Sequence, residues 1–97
     1  MNATREVLIA ARKRIARVVN SYTAFTATLK LQDACHQRGQ PGLYRDAYSA
    51  LLDEATASNL SGGPAEIGSL ADIARAIGKE AMLALFDRAI AAQKETK

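Results

Sequence analysis

The chain has 97 residues, of which 48% are hydrophobic and 24% are charged, and its formal net charge is +3. This length suits one domain with an apolar core, and this composition excludes a chain that is disordered from end to end. Alanine is abundant, tryptophan is absent and aromatic residues make up 5% of the chain, a bias that favours helices over strands. We therefore expect a single all-α domain over residues 1–97.

The first predicted element is one long helix. Apolar residues recur at intervals of three and four, in heptads, at Leu8, Ala11, Ile15, Val18, Tyr22, Phe25 and Leu29. An N-cap at Thr4 or Asn2 and a glycine in the left-handed conformation at Gly39 predict that the helix spans about residues 4–38. At 1.5 Å per residue this helix is a rod of roughly 50 Å.

A run of weak helix formers, NSYTAFTAT, occupies residues 20–28 of this rod. A bend or break near Asn20 and Ser21 would divide the rod into two ordinary helices. The apolar residues keep the same phase on both sides of this run. We therefore predict one continuous helix rather than two.

Two further helices follow. The sequence GQPG at residues 39–42 predicts a tight turn, and a second helix then runs over about 42–58 as an antiparallel neighbour of the first. Residues 59–68 are predicted to form a loop. A third helix is predicted over about 69–93, and its apolar stripe changes phase near Gly78, which either a bend at Gly78 or burial of the helix on several sides would explain.

These elements predict a three-helix domain with a long N-terminal helix, an antiparallel helical hairpin and a bent third helix. The second helix covers roughly 24 Å of a first helix that is roughly 50 Å long. The third helix or a second copy of the protein must then cover the rest of the apolar strip. We therefore expect a homodimer.

The sequence also predicts a compartment. A single cysteine, Cys35, excludes an internal disulfide and is typical of a reducing environment. The apolar run at residues 7–11 is too short for a signal peptide or a membrane span. We expect a soluble, cytoplasmic protein that does not contact a membrane.

The candidate binding residues are four cations in the first helix: Arg12, Lys13, Arg14 and Arg17. The first 32 residues hold six basic residues against one acidic residue, so the positive charge is concentrated there. The four cations span more than half of the helix circumference, too wide for a stripe that enters a nucleic-acid groove. They form either the solvated side of a packed helix or a contact for an acidic protein or for phosphate. Gly62 and Gly63 in the predicted loop are secondary contact candidates.

No pattern of catalytic or metal-binding residues is recognisable in the chain. Cys35 and His36 are neighbours that diverge by about 100° on a helix, so they cannot readily form a thiolate–imidazole pair, and two ligands do not make a structural zinc site. The sequence SGGP at residues 61–64 lacks the lysine that follows a phosphate-binding glycine loop. We expect no enzymatic activity, no metal and no cofactor.

Residues 69–86 match a helix-turn-helix motif in outline only. Asp87 falls where that motif needs a buried apolar residue, and the segment around Lys79 and Arg88 offers few side chains that read base edges. Its alanine-rich second half is typical of a protein core. The sequence therefore gives little support to DNA recognition through this segment.

The functional prediction is a non-enzymatic protein-binding module that uses the four cations on a partner with an acidic surface. Its small size and lack of catalytic chemistry suggest an inhibitor or regulator of phage or mobile-element type that masks a surface of a larger protein. The alternative is a small basic transcriptional regulator that binds nucleic acid as a dimer, because a dimer would place two basic arms symmetrically on a duplex.

Overall fold

The computed structural model describes residues 3–19, 22–23, 25–40, 42–58 and 70–93. In this part of the chain there are four α-helices and no strand. The helices are α1 (Ala3–Ala16), α2 (Thr26–Gln37), α3 (Leu43–Ser58) and α4 (Leu70–Ala92). The predicted all-α fold is confirmed. None of the helices in these residues is long and apolar enough to cross a membrane.

The prediction of one continuous first helix is wrong, because α1 ends at Ala16 and α2 begins at Thr26. The amides of Arg17 and Val18 already bond to carbonyls three residues back, at 3.2 and 3.0 Å, which tightens the last turn of α1. At the start of α2 the Thr26 hydroxyl accepts a hydrogen bond of 2.8 Å from the amide of Thr23. The threonine side chain thus supports the turn in place of a helical backbone bond, in keeping with its weak helix propensity.

The buried face of α2 also differs from the predicted one. Its buried apolar residues are Ala27, Leu31, Ala34 and Cys35. The predicted stripe contained Phe25 and Leu29, which are two residues out of phase with Ala27 and Leu31 and so lie about 200° away around the helix. The helix has two apolar stripes, and the one with the smaller residues faces the core.

The second helix folds back along the first. Arg38, which directly follows α2, forms an ion pair with Glu6 in the first turn of α1. In the last turn of α1, Arg14 Nη2 donates a hydrogen bond of 2.5 Å to Oε1 of Gln37. The two contacts join the end of α2 to the body of α1, so the rod of roughly 50 Å is replaced by a pair of shorter helices. The uncovered strip that suggested a homodimer does not exist, and the homodimer stays a prediction.

A glycine ends α2 as the sequence predicts. Gly39 has a φ of 69°, its amide bonds to the carbonyl of His36, and the amide of Gln40 bonds to the carbonyl of Cys35. This pair of bonds is the Schellman motif, in which a left-handed residue closes the last helical turn. The chain then turns into α3, which lies close to the predicted 42–58.

The helix α4 lies close to the predicted 69–93, and the bend predicted at Gly78 is confirmed. Gly78 has a φ of 82° and a ψ of 176°, and it separates two helical segments. Lys79 follows directly, and its Nζ donates to the carbonyl of Val18 and, at 3.4 Å, to that of Ala16. A lysine ammonium thereby satisfies carbonyls at the C-terminal end of α1, where the helix dipole favours a cation.

All four helices contribute to one apolar core. Its largest side chains are Phe86, Leu8, Ile15, Leu31, Leu51, Leu70, Ile73, Met82 and Leu85. Alanines fill buried positions on every helix: Ala11, Ala27, Ala34, Ala47, Ala55, Ala74 and Ala89. Each of the four helices contacts the other three, so the core is shared among all of them.

Candidate protein-binding surface

The four predicted binding cations divide into two pairs. Arg12 forms an ion pair with Asp87 on α4, with Nε 2.6 Å from Oδ1 and Nη2 donating to Oδ2 at 3.2 Å. Arg14 donates to Gln37 beyond the turn, as described above. These two arginines therefore help to hold α1 against α4 and α2.

Lys13 and Arg17 form the second pair. Both side chains are exposed, and neither has an ion pair or a side-chain hydrogen bond in the described part of the chain. They are four residues apart and share one side of the end of α1. The structure thus does not bring all four cations into one patch. Gly62 and Gly63, the secondary candidates, lie outside the described residues.

Three large apolar side chains that were not predicted to be exposed follow this second pair in the chain. Val19 is 79% exposed, Phe25 is 65% exposed and Leu29 is 54% exposed. Phe25 and Leu29 are one turn apart and are therefore neighbours on the outer side of α2. We call these three residues the outer apolar surface. Its residues Phe25 and Leu29 form the stripe of α2 that the core leaves unused, and Val19 lies in the segment between α1 and α2.

A cleft borders this surface. It has a volume of about 280 Å³ and is lined by Val18, Thr26, Leu29, Lys30 and Asp33. Val18 belongs to the turn after α1, whereas the other four residues belong to α2. The cleft therefore exists because the chain breaks between the two helices and turns back on itself.

The cations without a protein partner are concentrated near this cleft. Among the described residues, the arginines and lysines with no ion pair or side-chain hydrogen bond are Lys13, Arg17, Lys30 and Arg45. Lys30 lines the cleft, and Arg17 directly precedes Val18 in the cleft wall. Arg45 lies apart, on α3. The lining of the cleft thus holds one free cation, Lys30, and one carboxylate, Asp33, and Arg17 is next to the lining in the chain.

A second cleft, of about 190 Å³, is lined by Gln32, Cys35, His36 and Tyr44. Burial raises the pKa of the Cys35 thiol above its ordinary value, so the thiol stays protonated at neutral pH and is a weak nucleophile. His36 is exposed in the last turn of α2. In the part of the chain that the structure describes, no three His, Cys, Asp or Glu side chains lie close enough together to hold a metal ion.

A third cleft, of about 350 Å³, lies along α3 and is lined by Tyr44, Arg45, Tyr48 and Ser49. The two tyrosine rings pack edge to face with centroids 5.4 Å apart. Burial, followed by the neighbouring Tyr48 and Cys35, raises the pKa of Tyr44. The Tyr48 hydroxyl accepts a hydrogen bond of 2.8 Å from the amide of Leu70, so it caps the first turn of α4.

The segment that resembles a helix-turn-helix in outline belongs to the core. Its second half buries Met82, Leu85, Phe86 and Ala89. Lys79 is bound to carbonyls of the α1 end, and Arg88 lies 3.8 Å from Glu54 on α3. The two cations that the sequence offered for DNA contact are thus engaged within the protein.

No family model, curated protein sequence or solved structure matches this chain.

Proposed function

We propose that this chain is a non-enzymatic protein-binding module that contacts a larger protein through the outer apolar surface. The observation that carries the proposal is the joint exposure of Val19, Phe25 and Leu29 beside an apolar cleft. Scattered single apolar residues are normal on a protein surface, but Phe25 and Leu29 are exposed neighbours one turn apart and Leu29 lines the cleft, a grouping that is typical of an interaction site. Aromatic residues in particular are enriched at such sites.

The charge around this surface supports a partner with acidic residues. Lys13, Arg17 and Lys30 have no protein partner in the described residues, so a carboxylate can approach them without breaking an existing ion pair. Arg12 and Arg14 contribute indirectly, since they hold α1 in place against α4 and α2. A small module of this kind acts by masking the surface that it binds, as an inhibitor or regulator does.

Quantitative affinity capture from the native host tests this proposal with a matched pair of variants. Phe25→Gln with Leu29→Gln removes the apolar side chains from the outer side of α2, whereas Ala76→Gln adds a glutamine at an exposed position of α4. We expect the double variant to lose the partners of the wild-type chain and Ala76→Gln to keep them. Circular dichroism melts must show that both variants fold. The proposal is wrong if the folded double variant retains the wild-type set of partners.

The nucleic-acid alternative has its own measurement. Phosphate contacts release counterions, so binding to duplex DNA would weaken steeply with salt and would depend on Arg17 and Lys13. Under the proposed function we expect no affinity for duplex or single strands even at about 50 mM salt. Salt-dependent duplex binding that is lost in Lys13→Gln with Arg17→Gln would favour the alternative.

A further inference from the structure

We infer that the partner presents an amphipathic helix with acidic residues beside its apolar stripe, and that this helix docks on the cleft between Val18 and Leu29. The inference rests on the proposed function and deepens it, because it names the kind of segment that the surface binds. Two independent observations carry it: the shape of the apolar site and the distribution of unpaired charge around it.

The shape suits a short helical ridge rather than a broad protein face. A volume of about 280 Å³ accepts one branched apolar side chain between Val18 and Leu29. Phe25 lies one turn before Leu29, so a second apolar side chain on the same stripe of a partner helix meets its ring. Apolar anchors at intervals of three or four residues are the usual way in which an amphipathic helix fills a groove.

The cations near the cleft favour a partner with negative charge. Lys30 lines the cleft, Arg17 adjoins its wall, and Lys13 lies one turn before Arg17 on α1. The lining of the cleft itself holds one cation, Lys30, and one carboxylate, Asp33, so the excess of positive charge comes from Arg17 and Lys13 at the end of α1. Acidic residues next to the apolar stripe of a partner would face these cations, whereas a basic partner would be repelled.

The same charges disfavour a second copy of this chain as the occupant. In a symmetric dimer the same patch meets itself, so the cations of each copy would be brought toward those of the other. Like charges brought together at an interface suppress association. Duplex DNA would satisfy the cations but would leave the apolar cleft unfilled.

Three synthetic helical peptides test the inference on the full-length chain. The first has leucines on one face, at intervals of four and three residues, with glutamates at the remaining positions. The second replaces the glutamates with lysines, and the third keeps the composition of the first but spreads the leucines around the helix. Fluorescence anisotropy should show the first binding at least about tenfold more tightly than either control. Amide shifts in NMR spectra should change at Val18, Leu29 and Lys30.

Variants of the protein distinguish binding at the cleft from nonspecific electrostatic attraction between the peptide and the protein. Lys30→Glu should weaken the acidic peptide about fivefold, whereas Arg45→Glu, the same charge change at an unpaired cation on α3, should leave binding within about twofold. Leu29→Gln should weaken it about tenfold, and Ala76→Gln should not. Equal binding of the first two peptides, or equal effects of Lys30→Glu and Arg45→Glu, would overturn the inference.

The failure of this inference can be separated from that of the proposed function. If the acidic peptide does not bind but Phe25→Gln with Leu29→Gln still loses the captured partners, the surface binds protein and the inferred segment is wrong. If that double variant loses no partner, both proposals fail. If sedimentation shows a dimer that Leu29→Gln dissociates, the occupant is a second copy and the inference is overturned.

Discussion

The first two helices are of similar length and pack against each other, but only the second leaves large apolar side chains exposed. The outer side of α1 carries Lys13 and Arg17, as an ordinary solvated helix does. The outer side of α2 carries Phe25 and Leu29. Both helices give alanines and leucine or isoleucine to the core, so the difference lies only in what is left outside.

This difference follows from the sequence of α2, which has two apolar stripes. The stripe with Ala27, Leu31 and Ala34 packs into the core, and Phe25 and Leu29 are left outside. On α1, by contrast, the flanking cations Arg12 and Arg14 reach groups on α4 and α2. Under the proposed function, the outer side of α2 binds an apolar partner without opening the core.

The largest expected effect comes from a comparison of two leucines of α2. Leu31 is fully buried and Leu29 is more than half exposed. We expect Leu31→Ala to lower the free energy of unfolding by about 2–5 kcal/mol and Leu29→Ala by less than about 1 kcal/mol. Urea titrations of the two variants measure both values. Similar losses would mean that the two stripes of α2 are packed alike.

The second prediction concerns the bend in α4, which places Lys79 at the end of α1. The φ and ψ of Gly78 lie in a region that only glycine readily adopts, and an added Cβ would meet no atom within 4 Å. Gly78→Ala should therefore cost about 1–3 kcal/mol through backbone strain alone. Gly42→Ala, where φ is not positive and space is also open, is the control and should be close to neutral. Thermal unfolding at equal concentration distinguishes the two.

The lysine that follows the bend gives a smaller effect. Lys79→Met keeps most of the side-chain stem but removes the ammonium from the carbonyls of Ala16 and Val18. A loss of about 0.5–1 kcal/mol is expected from a cation at a helix C-terminus. Lys30→Met, which removes an unpaired cation, should leave the unfolding midpoint unchanged. Equal stability of the two variants would contradict a capping role for Lys79.

The smallest effect concerns the two pairs of cations on α1. Arg12 and Asp87 have side chains that are 35% and 56% exposed, so solvent screens their ion pair. A double-mutant cycle of Arg12→Gln and Asp87→Asn should give a coupling of at most about 0.5 kcal/mol. Lys13→Gln should show no coupling to Asp87→Asn. If the coupling of Lys13 to Asp87 were as large as that of Arg12, the distinction between the paired cations, Arg12 and Arg14, and the free cations, Lys13 and Arg17, would be wrong.

Much of the fold could be predicted because its signals are local. Helical spacing of apolar residues identified the regions of α3 and α4, and glycine marked both the end of α2 at Gly39 and the bend at Gly78. These features depend on backbone freedom and on side chains within a few residues. They therefore need no knowledge of what packs against them.

The break between α1 and α2 depended on tertiary contacts. Two apolar stripes were present in α2, and the stripe with larger residues kept phase with α1, which favoured a continuous helix. Alanine contributes little to a hydrophobic pattern, yet Ala27 and Ala34 let α2 lie close to its neighbours. The side that faces the core was settled by this packing rather than by the apolar content of either stripe.

The candidate site could be predicted only in part for the same reason. Lys13 and Arg17 remain available, whereas Arg12 is paired with Asp87, a residue 75 positions away in the chain. Neighbours in sequence can therefore have unlike partners in the fold. The exposed Phe25 and Leu29 could have been suspected from the competing stripe of Ala27, Leu31 and Ala34, which is visible in the sequence at the same spacing.

The buried alanines on all four helices restrict how this protein can change over evolutionary time. In a closely packed core, adding methyl groups at such positions typically costs about 1–3 kcal/mol. Conservative growth of a side chain, such as Ala27→Val, would therefore be selected against, as the loss of a large side chain is. The exposed stripe of α2 carries no such restriction, so its residues can change while the packing of the interior stays the same.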